Sequence, residues 1–120
     1  MRTVAIVLIL LVAALHLWFL TLEMFLWQTP LGLKTFRNSP EKAATTAVLA
    51  ANQGLYNGFL VAGLLWALDS GADLVPRATF FLLCVVVAGA YGGYSVSRRI
   101  LTVQALPAVL ALVALWSSQR

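Results

Sequence analysis

The stretch TVAIVLILLVAALHLWFLTLEMFLW, residues 3–27, holds only two titratable side chains, His16 and Glu23. An apolar run of that length without alternation can satisfy its backbone in lipid only as a helix, and it exceeds the ~20 residues that a bilayer span needs. Three more apolar stretches follow, so that the expected spans are residues 3–28, 46–68, 77–97 and 100–117. With 62% hydrophobic residues in 120, a soluble domain would have too little interior to hide them. The expected fold class is therefore all-α: a four-transmembrane-helix bundle forming one integral membrane domain over residues 1–120.

Arg2 followed by TVAIVLILLVAA has the charge and apolar core of a signal peptide, and Val12-Ala13-Ala14 resembles a cleavage site. The apolar run continues well past that point, however, and the expectation is an uncleaved first helix. The connections are marked by turn formers: two prolines, Gly32 and Asn38-Ser39-Pro40 in the first, Gly71 in the second, and the tight SVSRR in the third. Ser39 is placed to cap a short helix starting at Pro40, and the short third connection makes the last two helices antiparallel neighbours. Lys34, Arg37, Lys42, Arg98 and Arg99 fall on one side of the spans, and Arg2, Arg77 and Arg120 on the other. The basic excess puts the first and third connections in the cytoplasm and both termini outside.

The formal charge of +4 is spread over loops and ends rather than gathered with aromatics into a patch. That distribution suits phospholipid headgroups and argues against nucleic acid as a partner. Cys84 is the only cysteine, which excludes an intramolecular disulfide and a CxxC pair. Neither a cofactor motif nor a metal-ligand set occurs, so no cofactor and no metal are expected.

Counting inward from the cytoplasmic ends at 1.5 Å per residue, Glu23, Asn52, Gln53, Tyr91 and Gln104 reach one level, roughly 7 to 10 Å deep. His16, Asn57 and Cys84 reach a second level near mid-membrane, and His16 and Glu23 share a helix face about 10 Å apart along the axis. A carboxyl group at such depth is expensive and by default functional, so it should face inward and find donors. Asn52, Gln53, Tyr91 and Gln104 are the expected donors to Glu23. Polar amides between membrane helices are also common structural glue, and Cys84 in LLCVVVAG reads as a small apolar filler. Gly54, Gly58 and Gly63, with AGAYGGYS in the third span, allow close helix approach. Pro107 should kink the fourth helix and release a carbonyl.

LEMFLW, VLAANQGLYNGFLVAGLLW and VAGAYGGYSVSRRILTVQALPAVLAL closely resemble an uncharacterised bacterial family of four-span integral membrane proteins, domain-of-unknown-function family 1304. The resemblance covers nearly the whole chain, and ANQGLYNGF is its most specific segment. His16, Glu23, Asn52, Gln53, Asn57, Tyr91, Gln104 and Pro107 match the family pattern. It implies a multi-pass protein of the bacterial inner (plasma) membrane and carries no activity with it.

Three functions fit these residues. In the first, Glu23 and His16 are candidate proton carriers at a site that binds or acts on an apolar small molecule or lipid. Asn52, Gln53, Asn57 and Gln104 would orient the ligand there, and Tyr56 and Tyr91 would line the cavity. In the second, the chain is a proton-coupled transporter working as a homodimer, a plan similar to that of the small multidrug resistance exporters, whose motifs differ from these. In the third, it is a structural or accessory membrane subunit whose interior amides only hold helices together. No named reaction follows from any of them, so enzymatic activity stays open.

Overall fold

The computed structural model describes residues Met1–Arg120 and contains helices and turns but no strand. Its elements are α1 (Arg2–Met24), α2 (Pro30–Phe36), α3 (Pro40–Leu68), α4 (Leu74–Ser95) and α5 (Leu106–Ser117). A 3-10 turn, Gly71–Asp73, leads into α4, and a π-helical turn, Leu101–Ala105, leads into α5. Three helical segments, Arg2–Met24, Pro40–Leu68 and Gly71–Ser95, are long and apolar enough to cross a membrane. Leu101–Ser117 is apolar but shorter, about 25 Å at the α-helical rise against a hydrocarbon core of ~30 Å.

The chain divides into two compact units, His16–Val61 and Met1–Leu15 with Ala62–Arg120. Within His16–Val61, α1 stops at Met24 although the apolar sequence runs on to Trp27. The cause is a second helix start directly downstream. Thr29 sits in extended conformation before Pro30, where the helical region is disfavoured, and its hydroxyl accepts from Gly32 N at 3.3 Å while donating to Leu26 O at 2.6 Å. From sequence this stretch reads as a plain connection; its Thr-Pro pair is in fact an N-cap and first helical residue. Gly32 is required there, because a Cβ would collide with the carbonyl oxygens of Leu26 and Trp27. Arg37 ends α2 in the left-handed region, φ 54°, with its N–H donating to Leu33 O.

Ser39 Oγ then accepts from Lys42 N at 3.2 Å, so α3 does start at Pro40, as a long helix rather than a short one. The Trp27 indole closes this corner: Nε1 donates to Ala43 O at 3.1 Å and to Thr46 Oγ1 at 3.2 Å, and the ring lies 4.7 Å from that of Phe36. These contacts put the residues that follow α1, the end of α2 and the first turns of α3 into one cap.

In the second unit α4 buries Leu74, Ala78, Leu82, Val85 and Gly89, spaced three and four apart along one helical face. The pairing of α4 with α5 is antiparallel. Trp116 Nε1 donates to Thr79 Oγ1 at 2.9 Å, and further along Gly89 lies against Ala105 and Gly92 against Ile100. At Gly89 a Cβ would stand 2.7 Å from Ala105 N, so the sequence's glycines do bring backbones together here. The expected disturbance around Pro107 takes the form of the π turn just before it, in which Leu106 N–H reaches back to Leu101 O. A widened turn accommodates a residue with no N–H and a bulky ring without breaking the helix. Near the other end of α4, the Arg77 guanidinium lies 4.1 Å over the Trp66 ring and pairs with Asp73 at 2.8 Å.

Candidate functional site

Gly54, Asn57 and Gly58 fall on one face of α3, because residues three and four apart along a helix are neighbours. That face meets α1. A Cβ at Gly54 would stand 2.6 Å from Met24 Cγ and 3.2 Å from both Glu23 Cβ and Leu20 O. One at Gly58 would stand 2.9 Å from Leu20 Cδ1. The GxxxG spacing thus removes two side chains where α1 crosses, and the polar residue between them reaches the acid.

Asn57 Nδ2 donates to Glu23 Oε1 at 2.7 Å, the short distance of a charge-assisted or strongly polarised bond. Both side chains are half-buried. Glu23 Oε2 has no partner within the chain, and every buried side-chain polar atom does have one, so Oε2 is reachable from outside the protein surface. Asn57 gives one amide N–H to Glu23, leaving its other N–H and its carbonyl oxygen beside the carboxyl group. The arrangement is a carboxyl group fixed by one oxygen and open at the other. It can accept a hydrogen bond or a proton from a donor that approaches along α1 and α3.

His16 lies two turns before Glu23 on α1, is fully buried, engages a partner, and meets the Phe19 ring edge-on at 5.3 Å. The other candidates make different contacts. Asn52 is exposed and donates to Val48 O of its own helix at 3.1 Å; Gln53 and Tyr56 are exposed too. Tyr91 is exposed on α4, and Gln104 is half-buried in the π turn with a partner of its own. The donor to Glu23 is therefore Asn57, which depth counting sets one level further in with His16, and not Asn52 or Gln53. The reason is azimuth. Depth counting gives a level to within about a turn, but at 100° per residue Asn52 lies well away from the glycine face and Gln53 at its side.

Depth counting also passes over Leu20 and Met24, whose side chains cover Gly58 and Gly54 and so set the helix separation. The signal is present in the GxxxG spacing, which selects one face of α3. No three of the His, Cys, Asp and Glu side chains gather closely enough to hold a metal ion.

A family model described as a protein of unknown function, DUF1304, matches residues 10–116. The chain belongs to this family. The matched region takes in His16, Glu23, Asn57 and the glycine face. A relative described as uncharacterized protein YpaA, from Lactococcus lactis subsp. lactis (strain IL1403), is 28% identical over 116 residues, covering 95% of this chain and 98% of its own length. No solved structure matches.

Proposed function

We propose that this member of the family is a four-span bacterial inner-membrane protein in which Glu23 binds the polar end of an apolar small molecule or lipid. The short helical segment Leu101–Ser117 is the fourth span, and the Lys34–Lys42 and Arg98–Arg99 connections face the cytoplasm. Glu23 Oε2 takes a hydrogen bond or a proton from a ligand hydroxyl or amine, Asn57 fixes the carboxyl group, and His16 is a second titratable group deeper along the same helix. The single observation that supports this reading is the half-held carboxyl: one oxygen bonded to Asn57, the other open, on a helix apolar enough to lie in lipid. An acid within an apolar span is costly to keep, and an oxygen left open on it is available to a ligand.

The test is mass spectrometry of compounds that co-purify in mild detergent with the wild-type protein and with Glu23→Gln and His16→Ala. The expected result is a defined compound held by the wild type and lost from a folded Glu23→Gln variant. Bulk phospholipid alone in all three would overturn the binding site. Substrate-driven proton flux in liposomes that Glu23→Gln abolishes would assign the same carboxyl group to transport instead.

A further inference from the structure

The outer face of α3 carries the feature that neither the Glu23 site nor helix packing within the chain uses. Val48, Asn52, Tyr56 and Phe59 form an exposed stripe at spacings of three and four residues, 78% exposed at Val48, 56% at Tyr56 and 58% at Phe59. The stripe is polar at its centre. Asn52 Nδ2 is tied to Val48 O, but Asn52 Oδ1, the neighbouring Gln53 amide and the Tyr56 hydroxyl meet no group of the chain. Asn52 lies roughly 24 Å along the axis from Leu68, inside the ~30 Å that hydrocarbon occupies if α3 exits near Trp66 and Leu68. That leaves Asn52 about 6 Å inside the far edge of the layer, where acyl chains offer no hydrogen bonds.

We propose that two copies of the chain pair in parallel through this face of α3, with Asn52 of one protomer bonded to Asn52 of the other. A carboxamide is both donor and acceptor, so it is complementary to itself across a two-fold axis, and one such residue in an apolar seam fixes register and partner number. The uneven distribution of Lys and Arg favours a single insertion direction. Two chains inserted alike hold Asn52 at one depth; inserted oppositely, they hold it at two depths, because Asn52 is not at the middle of the membrane. The amides therefore select a parallel pair. A lipid tail satisfies Val48 and Phe59 equally well but leaves Asn52 Oδ1 and the Tyr56 hydroxyl without partners.

The experiment uses the full chain in native membranes, with Cys84→Ser as background and single cysteines at Val48 or, as control, at Val7 on the exposed face of α1. Mild oxidation should link Val48→Cys into a dimer and leave Val7→Cys monomeric. Adding Asn52→Leu should lower the apparent affinity of pairing about tenfold while the chain stays helical by circular dichroism. Energy transfer between copies labelled at the N-terminus and diluted into lipid vesicles gives the same comparison without a cross-link. Equal linking at Val48 and Val7, an Asn52→Leu variant that pairs as well as its parent, or a chain that is monomeric on dilution overturns the pairing. None of these outcomes bears on Glu23, whose ligand is read separately.

Discussion

At the residue scale, the behaviour of Glu23 turns on which partner each of its oxygens has. Asn57 holds Oε1 at 2.7 Å, and Glu23→Gln keeps an acceptor in that place, so it should change stability by less than about 1 kcal/mol. Asn57→Leu removes the donor and leaves the carboxyl group in apolar surroundings; a loss of about 1 to 2 kcal/mol is expected, measured by thermal or denaturant unfolding in detergent. Combining Asn57→Leu with Glu23→Leu should cost less than the two single costs added, because each of those changes removes the same contact, and a double-mutant cycle on unfolding midpoints checks it. The presence of an acid worth explaining is legible from sequence, since Glu23 interrupts an apolar run. Its donor is not, because residue counting fixes a level and leaves rotation about the helix axis open.

At the element scale, glycines decide where helices meet, and three of them predict different outcomes on substitution. Gly32→Ala should prevent α2 from docking, because the new Cβ meets the Leu26 and Trp27 carbonyls, which are backbone and cannot move aside. The expected readout is loss of Trp27 fluorescence shielding with the α1 and α3 helical content retained. Gly71→Ala should cost only about 1 kcal/mol, since nothing lies within 4 Å and only the left-handed backbone, φ 58°, opposes it. Gly54→Leu should separate α1 from α3 and break the Glu23–Asn57 bond, seen as the same loss of co-purifying ligand that Glu23→Gln gives. The helices themselves are legible in the apolar runs, and so are the antiparallel α4 and α5 in the shortness of the SVSRR connection. The end of α1 and the existence of α2 are not, because no polar residue marks the stop: Phe25, Leu26 and Trp27 stay apolar while Thr29 and Pro30 start a new helix. The π turn is hidden likewise, since Pro107 announces a disturbance without specifying its form.

At the scale of the whole molecule, sequence and structure share helices long and apolar enough to cross a membrane, and the number of crossings rests on the shortest apolar segment. If Leu101–Ser117 crosses, both ends of the chain lie on one side. Cysteine labelling from outside intact cells, in a Cys84→Ser background, should then modify both Thr3→Cys and Gln119→Cys and leave Asn38→Cys protected; labelling at Thr3 alone would show three crossings. Whether Glu23 is a protonatable carboxyl group within the apolar layer is read by labelling membranes with a hydrophobic carbodiimide and locating the adduct by peptide mass spectrometry. The chain has four acids, and Glu41, Asp69 and Asp73 are exposed. The hydrophobic reagent should modify Glu23, and a water-soluble carbodiimide should prefer the other three. Modification of Glu23 by the water-soluble reagent, with none by the hydrophobic one, would contradict that placement.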